Sequence, residues 1–349
     1  MIKKIKIAFF SLMSLALVTS AYADLTFVSW GGAYTAAQQK GYINDWNGKV
    51  NVENYNGGLG EIKAQVEAGN VTWDVVDILP DQAVTGCDEG LFLKLDQSEF
   101  LDDMIAGPVS ECVAPQIFWA YTAFYSKSAF PGKKPKTIKD FFNVKKFPGK
   151  RAIHTWANAT MEMALVADGV KKKDIYKVLE TPEGVDRAFA KLDTIKDHVI
   201  FWSAGSKPLE MISSGEAVMA LAYNGRIGAA ILQDGKDFDY IWDATVLEQE
   251  YLAIPTGTKN EAEARKFVAY AATAESLAGV TKHITYAPMR KSALNVVKKG
   301  EPWYHTGVDV MPHVPTNKKI IKKAIIADPV WWADNGAEIS ERFGAWKGN

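Results

Sequence analysis

"TFVSWGGAYTAAQQ", residues 26–39, runs an apolar strand straight into a helix through Gly31-Gly32 and leaves Trp30 at the turn. A strand that passes to a helix through glycine is the first half of a βαβ unit, and the chain repeats the move. Residues 25–29 read as a buried strand, followed by a helix from about 33 to 46. Residues 50–55 form a second strand, and "NGGLGEIKAQVEAG" (56–69) a glycine-rich turn and an amphipathic helix. A third strand, made largely of Val, Ile and Leu, covers 74–79. Strand, helix, strand, helix, strand is the pattern of a parallel α/β sheet covered on both faces.

A second unit follows. Residues 116–126 (QIFWAYTAFYS) read as a long strand, and "FPGKKPK" (130–136) as an exposed connection. A new strand is expected near 150–155, with helices at 160–169, 173–180 and 183–196. Short strands are expected at 199–202 and 217–223, then a helix at 224–233, and two strands at 240–242 and 249–254. Helices at 260–273 and 275–283 show apolar periodicity, and the tail from 301 reads as helix broken by proline. The fold class is α/β in two lobes. In open parallel sheets, ligands sit beyond the carboxyl ends of the strands. Trp30, Asp81, Trp156, Tyr223 and Glu250 all fall at such ends and would converge on one cleft.

The N-terminus reads MIKKIKIAFFSLMSLALVTSAYAD. Lys3, Lys4 and Lys6 precede a short apolar run that ends in Ala21-Tyr22-Ala23, the pattern of a signal peptide cleaved after residue 23. Later segments offer no run long enough to span a bilayer. Export to the periplasm is therefore expected. Cleavage would leave about 325 residues, enough for two domains. The net charge of −1 favours no nucleic-acid partner. The two cysteines, Cys87 and Cys112, would pair as a disulfide in an oxidising compartment; the alternative is two buried thiols.

Enzyme motifs are missing. No HExxH, GxSxG or P-loop lysine motif occurs, and "NGGLGE" lacks the GxGxxG spacing. The five histidines have no tight metal spacing. Neither cofactor nor metal is expected. Aromatic residues combined with acids are the stronger signal, and the eleven tryptophans are a high count. An indole face over an ammonium contributes on the order of 0.5–2 kcal/mol when desolvated, and a carboxylate adds charge and a hydrogen bond. Trp30, Tyr34, Trp156, Tyr223 and Tyr286 with Asp81, Glu248 and Glu250 would form such a box. The plainer alternative is core aromatics and solvated acids.

The anchors "TFVSWGGAY", "WDVVDILPDQAV", "GLFLKLD", "FWAYTAFYSKSAF", "FPGKRAI", "EMALVADG", "SSGEAVMALAYNGR", "YLAIPTGTKN" and "ITYAPMR", in this order, resemble the periplasmic solute-binding proteins of ABC importers, in their spermidine/putrescine-binding group. The resemblance implies a two-lobed periplasmic-binding-protein fold with crossover strands as hinge. Lobe one would hold 24–125 and 251–295, lobe two 126–250 and 296–349, with crossovers near 123–126 and 250–255. It also implies a monomer that delivers its ligand to a membrane permease. Carried over, the family pocket falls on Trp30, Asp81, Tyr223, Glu250 and Tyr286, with Glu248 two positions before Glu250 and Trp331 or Trp332 near a polar contact.

One stretch departs from that pattern. Where the polyamine binders place carboxylates, this chain has "HTWANAT" (154–160), with Trp156 and Ala159; Glu162 is one helical turn further on. Arg226, if it faces the cleft, would repel a diamine. The first expectation is a small cationic amine such as putrescine or spermidine; the alternative is a zwitterion such as an ω-amino acid held by Arg226. A glycoside hydrolase using Glu248 and Glu250 is the third reading. It is disfavoured because acids at i and i+2 of a strand share one face, while glycosidases flank the scissile bond.

Overall fold

A computed structural model of the chain describes residues 24–298 and 307–348. The expected signal peptide, residues 1–23, lies outside the described residues.

Ten strands carry the architecture: β1 (Leu25–Ser29), β2 (Val50–Asn54), β3 (Val75–Ile78), β4 (Ala114–Ser126), β5 (Arg151–His154), β6 (Val199–Trp202), β7 (Met219–Tyr223), β8 (Phe238–Ala253), β9 (Ala287–Pro288) and β10 (Ile325–Ile326). Their hydrogen-bonded order is β2-β1-β3-β8-β4-β7-β5-β6, with β10 added on β8 and β9 on β4. β1 is parallel to β2 and β3, and β5 is parallel to β6 and β7. These are the two α/β units read from the sequence. Between them run β4 and β8, antiparallel to each other and long enough to belong to both.

The change of lobe happens at one rung of that ladder. Ala120 pairs with Leu247, and both pack in the first core with Phe27, Val76 and Phe267. The next rung, Tyr121 with Val246, packs in the second core with Phe124, Ile153 and Leu221. By core membership the crossover lies a few residues earlier than expected on both strands. The tail is also divided. Val297, Val310 and Val314 join the first core, and only from Ile325 onward, through Trp331, Ile339 and Phe343, does the chain join the second.

β8 is one strand of 16 residues rather than two. Its pairing with β4 slips between Tyr121 and Ala123, leaving residues 242–245 opposite Thr122 alone. Ala244 takes φ 59° there, and side chains replace the missing ladder bonds: Thr122 Oγ1 donates to Ile241 O at 3.1 Å, Thr245 Oγ1 to Tyr121 O at 2.9 Å. Such a bulge breaks the alternation by which a strand is recognised. The first helix is likewise shorter than its periodicity suggested, Gly32–Gly41, with a 3-10 turn at Ile43–Asp45. The C-terminal segment contains β10 before its last helix, Pro329–Gly348. No helix among the described residues is long and apolar enough to cross a membrane.

Cys87 and Cys112 are disulfide-bonded, 25 residues apart. The link ties the helix Pro80–Asp88 to the segment entering β4. In the chain-entropy model a loop of this size contributes about 3 kcal/mol. Replacing both cysteines with serine should lower the unfolding free energy by about that amount, read from urea denaturation. Unchanged stability would show that the link constrains little in the unfolded chain.

Candidate functional site

The strand ends fulfil their expected role. A cavity of about 620 Å³ opens between the lobes, beyond the carboxyl ends of β1, β3, β5, β6 and β7. Seven of the ten residues singled out from the sequence line it: Trp30, Tyr34, Trp156, Tyr223, Arg226, Glu250 and Tyr286. Eight of its nineteen lining residues carry rings. Trp30 lies against Tyr55 with centroids 4.9 Å apart, Tyr34 meets Tyr286 edge-on at 5.5 Å, and Trp119 meets Tyr223 edge-on at 5.2 Å. Trp30 can lie so low because residue 57 is glycine; a Cβ there would sit 2.4 Å from the indole. Trp156, 39% exposed, stands at the mouth, its ring 4.5 Å from that of His154.

Asp81 and Glu248 do not line this cavity, which corrects their expected place in the box, and neither does Trp332, expected near a polar contact. Asp81 and Trp332 line a separate recess of about 170 Å³ between the helices Pro80–Asp88 and Pro329–Gly348. Trp332 Nε1 donates to Glu162 Oε1 at 2.8 Å, and Tyr176 OH donates to the same oxygen at 2.9 Å. Glu162 is therefore turned away from the main cavity, as its position one turn into the helix suggested. Glu248 is buried, and its charged neighbours are Glu162 and Asp81; burial first, and those acids second, push its carboxyl well above the usual range.

Two charges of opposite sign remain in the cavity. Glu250 is 3% exposed and accepts a hydrogen bond from Trp30 Nε1 across the turn that opens the chain. Burial raises its carboxyl well above the usual range, and Asp77 behind it adds to the rise. Asp77 itself is pushed up to about 7 by burial, against hydrogen bonds from Gln38, Ser29 and Tyr34.

Arg226 faces the cavity from the first turn of the helix Asn224–Leu232. Among the described residues it has no ion pair. Its Nη2 donates to Gly31 O at 3.4 Å, and its Nε is buried without a partner. The helix that carries it is pinned at its first residue: buried Asn224 accepts from Ala120 N at 2.8 Å and donates to Thr285 O at 2.8 Å. The guanidinium also lies across Gly205, where a Cβ would be 2.5 Å from Nε. Three helices begin at the cavity wall behind Gly31, Ser206 and Tyr223, and none of the three has a side-chain cap. The dipoles of the helices behind Gly31 and Tyr223 favour an anion beside Arg226; the helix behind Ser206 offers no free N–H group in its first turn, because Lys207 N donates to Ala204 O, residue 208 is proline and Leu209 N donates to Ser206 O.

Several lining residues escaped the sequence reading. His154 ends β5, and residues 203–206 follow β6 at a strand end that was itself read; the topological rule that found Trp156 would have found them. Trp119 sits inside a strand and offered no such signal; neither did Asp77, which lies behind the wall rather than in it. No cluster of potential metal ligands occurs among the described residues.

The fold and cleft define a two-lobed periplasmic-binding-protein architecture. A solved structure of the binding protein MotA from A. tumefaciens B6 in complex with glucopine matches 93% of this chain and 100% of its own, with TM-score 0.84 and 27% identity. The Atu4243 GABA receptor matches 93% and 98% at 31% identity, with TM-score 0.80. The model of the bacterial extracellular solute-binding protein family matches residues 33–312, and the chain belongs to that family. A gamma-aminobutyric acid-binding protein of Pseudomonas aeruginosa is 39% identical over 96% of this chain and 95% of its own length. The fold and these relatives are those of non-catalytic transport proteins that take a small solute for an ABC permease.

These likenesses correct the expected membership of the spermidine/putrescine group. A putative spermidine/putrescine transporter from Listeria monocytogenes is only 18% identical, at TM-score 0.70, and shares the fold alone. The site supplies the physical reason. Two of the three acids meant to hold ammonium groups are outside the cavity, and a cation, Arg226, lines it.

His154 yields a pH test. Burial lowers its imidazole from 6.5 to about 3, while the unfolded chain takes up its proton at the ordinary value. Between about 6.5 and 3 the unfolded state therefore binds more protons, and stability falls as pH falls, with a slope approaching ~1.4 kcal/mol per pH unit. His154→Gln should flatten that part of the profile, read as urea-unfolding free energy from pH 4.5 to 7. A variant profile parallel to the wild type would contradict it.

Proposed function

We propose that this protein is the extracytoplasmic receptor of an ABC importer for an ω-amino acid, with γ-aminobutyrate as the type ligand, and that it works in the periplasm without catalysis. The observation that carries the reading is the pair of opposite, uncompensated charges in one aromatic-walled cavity. Glu250 takes the ammonium, with Trp30 beside it. Arg226 takes the carboxylate, with the positive dipole ends of the helices behind Gly31 and Tyr223 beside it. The faces of Trp30, Tyr223 and Trp156 cover the methylenes. Closing the lobes expels water and strengthens both ionic contacts. The permease then reads the closed form, whose population the ligand raises. The P. aeruginosa relative, named for γ-aminobutyrate, supports the same chemistry.

A larger amino-acid conjugate is the second reading. The 620 Å³ cavity is well inside the roughly 300–1,000 Å³ common for ligand sites and exceeds what a four-carbon zwitterion fills. The likeness to the glucopine complex points the same way.

Calorimetry on ligand-free protein separates these. γ-Aminobutyrate at a hundred times its Kd should stabilise the fold by about 2.7 kcal/mol. Arg226→Ala should weaken its binding about a hundredfold, the loss of a charge-assisted contact of roughly 1.5–3 kcal/mol. Equal affinity for γ-aminobutyrate and butylamine, or an Arg226→Ala variant that binds as tightly as wild type, would remove the reading. An opine that displaces γ-aminobutyrate and binds more tightly would move the assignment to the larger class.

A further inference from the structure

Asp77 does not line the cavity, yet it stands directly behind the residue that holds the ammonium. It lies in the middle of β3 and is fully buried. In the antiparallel pairing of β3 with β8, Asp77 is opposite Leu252. Glu250, two residues along β8, therefore projects from the same face as its diagonal neighbour. Donors hold Asp77 from the first lobe: Ser29 Oγ at 3.1 Å, Tyr34 OH at 3.5 Å and Gln38 Nε2.

No cation is ion-paired with either carboxyl among the described residues. The other titratable groups facing the pair are Tyr34 in the first helix, Tyr42 just after it, Tyr55 after β2, Tyr223 at the end of β7, Tyr286 before β9, and Glu248 two residues earlier on β8. Burial raises the five phenols, so they stay neutral and supply no charge. Arg226, the cavity's cation, points to Gly31 O. Two adjacent carboxylates in such a place do not both ionise without a positive partner.

We infer that Asp77 is a positioning residue for ligand charge: in the empty cleft it shares one proton with Glu250, and the bound ammonium takes that proton's place. The exchange balances. The protonated pair carries one negative charge; two carboxylates with one ammonium carry the same. The proton leaves to solvent, and no covalent bond changes. The inference rests on the amino-acid reading above.

Calorimetric titration with γ-aminobutyrate in phosphate and in Tris, whose ionisation enthalpies differ, counts the protons. Close to one proton should leave per ligand near pH 7, and affinity should fall about tenfold per pH unit below neutrality. Asp77→Asn keeps the side chain's shape; it should still bind, releasing fewer protons than the wild type and with its pH dependence moved to lower pH, because burial alone still raises Glu250. Buffer-independent heat in the wild type, or unchanged proton release in Asp77→Asn, would overturn the inference. If γ-aminobutyrate does not bind at all, that result counts against the ligand reading, and the shared proton is read without ligand. Carboxyl 13C NMR of the wild-type protein should then show a titration near neutrality that moves to lower pH in Asp77→Asn. No carboxyl titrating between pH 5 and 9 would overturn it independently.

Discussion

The ladder between β4 and β8 is the constraint on which the rest of this structure depends. Two antiparallel strands must serve two sheets, so each changes core part-way along its length, and both do so between the same two rungs, Ala120–Leu247 and Tyr121–Val246. That shared crossing brings the carboxyl ends of two independent parallel sets to face each other. It also places Glu250 and Trp119, both on crossing strands, in the wall of the resulting cavity. The bulge at residues 242–245 belongs to the same constraint: a straight ladder of this length would carry its twist into both sheets, and the irregularity lets the second lobe set its own.

The cavity is chemically lopsided by design of its neighbours. Burial keeps rings neutral and acids costly to ionise, so few formal charges remain to act. One carboxyl and one guanidinium, each lacking an ionic partner, then define what the cleft can hold. Buried charge without a partner is unfavourable, and a zwitterion of the right length relieves both ends at once. The same reasoning explains why the second group of acids, Asp81, Glu162 and Glu248, is kept apart. Had they opened into the main cavity, the net charge would call for a polycation and the guanidinium would stand in its way.

How far the sequence could be read depended on the range of the interaction involved. The two α/β units, the strand ends and the cysteine pair were legible because each follows from local pattern or simple compartment chemistry. Trp30, Trp156 and Tyr223 were singled out because a strand's end is visible in its own sequence, whereas Glu250 lies inside β8 rather than at its end. Asp81 met the same criterion and yet faces another recess, since the helix it starts packs against Trp332 and its neighbours. Glu248 and Glu250 share the strand face that their spacing predicts, yet different elements lie across from them. Asp77 was hidden for the opposite reason: within an apolar run an acid reads as an interruption, and only the pairing of β3 with β8 shows what it serves.

By itself, the sequence determined the two repeated α/β units, the signal-like N-terminus, the available disulfide and the stock of rings and charges at strand ends. Periodicity, composition and chain order decide these, and they act within a few residues. The tertiary structure alone decided which acids meet which cation. That choice depends on packing between residues as far apart as Trp30 and Glu250 or Glu162 and Trp332, and no local pattern records which face of one lobe will close against which face of the other.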